Sequence, residues 1–148
     1  MPPPLAAPAS RDRLDFPAGS ARCARRGLAF VRTTMARWRI DADSRAVDDA
    51  LLVTAELLAN AADHAGGPLA LDVRLDPDRR TLRIAVTDAL SDPPRIAASP
   101  PADQPHGRGL RIIDRLANAW GTSPAGAGKT VWAELGLPPA DHHRPPRA

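Results

Sequence analysis

Residues 44–88 read SRAVDDALLVTAELLANAADHAGGPLALDVRLDPDRRTLRIAVTD, and the fold turns on how this stretch is parsed. Val47, Leu51, Thr54, Leu58, Ala61 and Ala65 recur at spacings of four, three, four, three and four. That is one face of a 3.6-residue helix. Asp43 or Ser44 is suited to cap its start, and Gly66-Gly67-Pro68 stops it. The period then changes to two. Leu69, Leu71, Val73 and Leu75 alternate with Ala70, Asp72 and Arg74, and Leu82, Ile84 and Val86 alternate with Arg83, Ala85 and Thr87. Asp76-Pro77-Asp78 supplies a turn between them. The stretch predicts a helix of about 44–65 followed by a β-hairpin of about 69–87 that ends in Asp88.

On the N-terminal side, Leu14-Asp15-Phe16-Pro17 suggests a short strand. Ala24, Leu28, Val31, Met35 and Trp38 predict a helix over about 19–39. On the C-terminal side, residues 89–108 hold five prolines and read as a long loop. A third helix is expected over about 109–118, with Leu110, Ile113, Leu116 and Ala117 inward. A glycine-rich turn follows, and Thr130 to Leu135 forms a last strand. The order β-α-α-β-β-α-β predicts an α/β two-layer sandwich, a mixed sheet with the helices on one face.

The chain has 148 residues, the size of one domain. Its proline-rich ends predict disordered tails at 1–11 and 138–148 around a domain of 12–137. One cysteine excludes an internal disulfide framework. No run of about 18 apolar residues is present, and residues 1–10 lack the features of a secretory signal. A cytoplasmic location is therefore expected. The net charge is +3 and Lys129 is the only lysine. With no tyrosine, little titrates above neutrality before arginine, so this small charge already yields a pI near 10.3. The pI is weak support for nucleic-acid binding, and the chain has few aromatic platforms for bases. Charge is segregated: eight arginines lie between 11 and 39, and six acids lie between 41 and 64.

Three groups of residues can carry chemistry. Glu56 and Asn60 are four apart on one helix face, which Asp63 and His64 extend by a turn. Both are oxygen ligands suited to a hard cation, and a glutamate there can serve as a general base. An ordinary solvated helix face has the same composition. Asp88 closes a strand, where ligands or turns are both common. Gly107-Arg108-Gly109-Leu110 enters a helix whose free N–H groups suit phosphate. Residues 123–130, SPAGAGKT, nearly spell a P-loop, but a strand rather than a helix follows, so the P-loop is rejected.

Taken in order, Glu56…Asn60…Asp88…Gly107-Arg108-Gly109-Leu110…Trp120-Gly121…Gly128-Lys129-Thr130-Val131-Trp132 resembles the ATP-binding domain of the GHKL superfamily. The small size resembles its anti-sigma-factor serine/threonine kinases, the RsbW/SpoIIAB-like group. The resemblance covers about 14–137. It implies ATP and Mg²⁺ as cofactors, with Asn60 the metal ligand and Glu56 the catalytic residue activating the attacking hydroxyl. It implies that Asp88 accepts from the adenine amino group, that Gly107 to Leu110 cradle phosphates, and that Thr130 lies near adenine. Asp63 joins the expected cofactor-binding set. The first glycine box of the family is absent from Asp88-Ala89-Leu90-Ser91-Asp92. The implied partners are a sigma factor and a STAS-domain antagonist, with a homodimer left open and no membrane or direct nucleic-acid contact. The alternative function is a non-catalytic, partner-binding switch on the same fold.

Overall fold

The computed structural model describes residues 10–17, 20, 22–41, 44–90 and 108–138. Within them the chain forms β1 (Ser10–Asp15), α1 (Cys23–Arg37), α2 (Arg45–Ala65), β2 (Pro68–Asp76), β3 (Thr81–Asp88), α3 (Arg108–Leu116), β4 (Ala119–Ala125) and β5 (Gly128–Gly136). The strands make one five-stranded sheet in the order β1-β2-β3-β5-β4. This is the expected α/β two-layer sandwich, with the helical layer packed on the sheet through α2 against β3 and β5.

The sheet is not mixed. All four strand pairings are antiparallel. A helix joining β3 directly to the last strand would make a parallel crossover. The chain instead leaves α3 into β4, at the sheet edge, and returns through a hairpin as β5. That reversal sets β5 antiparallel to both of its neighbours. β4 was expected as a turn because Gly121, Ser123 and Pro124 weaken a strand pattern. Proline is tolerated there because β4 is an edge strand. The indole Nε1 of Trp120 donates to Asp114 Oδ1 at 2.8 Å, tying β4 to α3.

The elements of 44–88 form where the periodicities place them. Ser44 precedes α2, but its hydroxyl donates to Asp41 O rather than capping the helix. Gly66 ends α2 with φ of 73°, a conformation in which glycine avoids the Cβ clash. At the hairpin turn, Asp76 Oδ1 accepts from the backbone N–H groups of Asp78 and Arg79 at 3.1 and 3.2 Å. Leu71, Val73, Leu82, Ile84, Val86, Val131, Ala133 and Leu135 point to the helices and are buried. From α2 they meet Val47, Val53, Leu57, Leu58 and Ala61. Each large apolar side chain so buried is worth about 1.5–3 kcal/mol.

Helix α1 buries Val31 and Met35 as expected, with Trp38 packed against the core, but its inward face is shifted. Gly27, Val31, Thr34 and Met35 are buried, while Ala24 is exposed. The reason is close packing on α2. A Cβ at Gly27 would lie 2.5 Å from Leu58 Cδ1, so only glycine leaves room for that leucine. Replacing Gly27 by Val should lower stability by about 1–3 kcal/mol through overpacking. Urea unfolding monitored by circular dichroism would show it, and an unchanged midpoint would contradict this account.

At the sheet's other edge, β1 begins at Ser10, inside the stretch expected as an N-terminal tail. Arg11 binds Asp72 of β2 at 2.9 Å, and edge strands of this charged type carry little hydrophobic signal. Asp12 pairs with Arg37 of α1. That guanidinium holds the Asp12 carboxyl below its ordinary value. The pairing therefore favours folding above the usual aspartate range and is lost as the pH falls. The rest of both expected tails except Pro138, together with Asp43, the proline-rich stretch after Leu90 and Gly107, lie outside the described residues. Among the described residues no helix is long and apolar enough to cross a membrane.

Candidate functional site

The inward row of β3 runs Leu82, Ile84, Val86 and then Asp88. The inward row of β5 runs Leu135, Ala133, Val131 and then Lys129. Asp88 and Lys129 are Cα partners in the β3–β5 register, so the strand period delivers a carboxylate and an ammonium to one end of an apolar layer. Asp88 is 1% exposed and Lys129 3%. Lys129 Nζ lies 3.0 Å from each carboxylate oxygen and donates to Leu90 O at 3.0 Å. The Leu90 N–H in turn donates to Asp88 Oδ1. Buried charges persist only when paired in this way.

The pairing is incomplete. Nζ is aligned to donate to Oδ1, and Asp88 Oδ2, equally close, retains no hydrogen bond although it is buried. An unsatisfied buried acceptor is costly, and this oxygen keeps capacity for a further donor. The close approach that closes this end of the sheet depends on Gly128. A Cβ there would stand 1.9 Å from the Asp88 carbonyl oxygen.

Helix α2 supplies the second group. Glu56 and Asn60 are half-buried on one face, and no hydrogen bond or ion pair among the described residues engages either one. Burial raises the Glu56 carboxyl above its ordinary value, because desolvation disfavours the anion. Asp63 lies exposed one turn further along. Among the described residues no three of His, Cys, Asp and Glu gather into a metal-binding cluster. A cation here would draw its ligands from Asn60 and from a bound anion.

The third group sits at the start of α3. Arg108 and Gly109 are its first two residues. Leu110 is 3% exposed and belongs to the core, so it anchors the helix end rather than facing solvent. Since α2 packs against α3 as well as β3 and β5, α2 joins the elements that carry the three groups.

Thr130 is not brought to Asp88. It follows Lys129 by one residue and therefore projects from the other side of the sheet. There its hydroxyl meets that of Thr87 at 2.9 Å. Lys129 occupies the inward position in its place. Sequence reading assigned Lys129 no role, although a signal was present. Lys129, Val131, Ala133 and Leu135 alternate on the apolar side of the last strand, so a lone lysine there requires a buried partner.

The comparisons agree with this architecture. The family profile described as the histidine kinase-like ATPase domain matches residues 16–135, and the chain belongs to that family. Among solved structures, it is similar to the RsbU and RsbW domains of Rv1364c from Mycobacterium tuberculosis, with a TM-score of 0.60 at 18% identity. The match covers 88% of this chain and 32% of that one. No curated protein matches.

Proposed function

We propose that the protein binds ATP with Mg²⁺, phosphorylates a serine or threonine of a STAS-domain antagonist, and sequesters a sigma factor. The observation that carries the nucleotide reading is the buried Oδ2 of Asp88, which is ion-paired with Lys129 but accepts no hydrogen bond from the described residues. It is an acceptor suited to an exocyclic amino group such as that of adenine. Membership of a histidine kinase-like ATPase family and the fold shared with a chain that contains an RsbW domain support the same reading. In it, Asn60 ligates the cation, the helix start at Arg108 and Gly109 with the preceding Gly107 faces phosphate, and Leu110 keeps that helix end seated.

Bound ATP supplies the phosphoryl group, and Mg²⁺ offsets its charge. Glu56 takes the proton from the attacking hydroxyl as the new O–P bond forms and the bond to the ADP oxygen breaks. A carboxyl raised by desolvation is a stronger base than an ordinary glutamate. Transfer should therefore increase with pH as Glu56 ionises, through a range above that of ordinary glutamate.

Calorimetric titration of ATP and Mg²⁺ into the protein tests the first step. Asn60→Ala should weaken Mg²⁺-dependent binding by roughly tenfold or more, about 1.4 kcal/mol. Absence of ATP binding by the parent would reject the reading. Two observations favour the alternative of a non-catalytic switch: Lys129 already pairs with Asp88, and residues 89–92 contain no glycine. A parent that binds ATP yet transfers nothing to any STAS protein would establish that alternative.

A further inference from the structure

The sheet face turned away from the helices carries a second, differently built surface. Arg11 of β1 is the Cα partner of Arg74 of β2, and Arg74 is the Cα partner of Arg83 of β3. Three guanidiniums thus stand side by side across three adjacent strands. Like charges directly opposite on a sheet oppose folding. The neighbouring acids relieve the row only in part. Asp72 is bound by Arg11 and Arg13 at 2.9 and 3.2 Å, and Glu134 by Arg83 at 3.3 Å. Arg74, exposed in the middle of the row, has no ionic or hydrogen-bond partner among the described residues.

These side chains border a groove of about 490 Å³, whose lining includes Arg11, Arg13, Arg74, Arg83, Asp72 and Thr130. Arg13 also pairs with Asp15 at 2.9 Å, so Arg74 is the cation of the row left for a partner. We infer that this groove docks an acidic segment of a partner protein, with several carboxylates along one edge. Adjacent strands lie about 4.8 Å apart, so the row extends roughly 10 Å, beyond the reach of one small anion. Guanidinium groups match carboxylates in paired hydrogen bonds. Single-stranded nucleic acid fits less well. Trp132, the aromatic residue of this face, is packed on Gly121 and covered by the Arg83 guanidinium 4.4 Å from its ring centre, leaving no free platform for a base. The surface lies on the opposite side of the sheet from Asp88 and α2, so it stands whether or not the protein transfers phosphate.

The test uses the full chain and a fluorescently labelled peptide rich in aspartate and glutamate, with its asparagine/glutamine counterpart as control. The acidic peptide should bind, the amide peptide should not, and added salt should weaken binding. Arg74→Glu should reduce affinity at least about tenfold. Arg32→Glu makes the same charge change on the exposed side of α1 and should leave binding within about twofold. Without peptide, Arg74→Glu should raise Tm by about 1–4 °C, because it breaks the like-charge row. Equal losses in both variants, a lower Tm for Arg74→Glu, or tighter binding of a single-stranded oligonucleotide than of the acidic peptide would each overturn the inference. Sedimentation showing the groove closed by a second copy of the chain would do the same.

Discussion

Lys129→Met should cost about 3–5 kcal/mol of folding stability, because it leaves the Asp88 carboxylate buried and without its counter-charge. For a domain of this size that corresponds to a Tm lower by about 6–20 °C. The expectation rests on two near-zero exposures and on an ammonium held by Asp88 and Leu90 O. Methionine keeps most of the lysine stem's volume, so the loss reports charge rather than a cavity. Adding Asp88→Asn to Lys129→Met should restore part of the loss, since the stranded carboxylate is then gone. Thermal and urea unfolding of parent, single and double variants would measure this. A Lys129→Met variant within about 0.5 kcal/mol of the parent, the range of ordinary surface substitutions, would show that the pair is not structural. The same series bears on nucleotide affinity. Asp88→Asn alone removes the charge at the proposed adenine acceptor and also leaves Lys129 buried without its ion-pair partner. Binding must therefore be measured well below that variant's Tm.

On the proposed function, Glu56→Gln should reduce phosphoryl transfer by about 10²–10⁴-fold while ATP binding stays close to that of the parent. Glutamine preserves the shape and polarity of the side chain but cannot accept the hydroxyl proton. The assay is labelled-phosphate transfer from ATP to a cognate STAS-domain protein, with nucleotide affinity measured in parallel. A variant that transfers as fast as the parent would remove Glu56 from the chemistry and leave the nucleotide site standing. Stability gives an independent readout. Burial raises the Glu56 carboxyl in the folded state, so ionisation works against folding, and stability falls as the pH rises through that raised value. The Gln variant lacks this loss. It should be more stable than the parent at neutral pH and no more stable in acid, below the ordinary glutamate range. A residue that lowers stability at working pH is common in catalytic positions.

Where the sequence carries a strong local period, the structure follows it. The α2 stripe, its glycine stop and the hairpin that ends in Asp88 all fall within a residue or so of their expected bounds. Glu56 and Asn60 share a helix face because a spacing of four requires it. Signals that depend on a neighbour were harder to read. The α1 stripe was legible at Val31, Met35 and Trp38 but not at Gly27, whose value lies in the room it leaves for Leu58. β4 combines poor strand formers at an edge, so nothing local marked it. Its absence from the expected order is what made a mixed sheet seem required.

The sequence by itself determined the helices, the hairpin and the kinds of side chain available to a nucleotide, because a helix period, a strand period and a stop signal are each complete within a few residues. Only the tertiary structure decided what those side chains meet. Asp88 and Lys129 are 41 residues apart, and Arg11 and Asp72 are 61 apart. Both pairings follow from strand order and register, which form when the whole hydrophobic layer closes. Register also assigns neighbours in the chain to opposite sides of the sheet. It sent Lys129 into the core beside Asp88 and Thr130 to the arginine-lined face, since successive residues of a strand point in opposite directions.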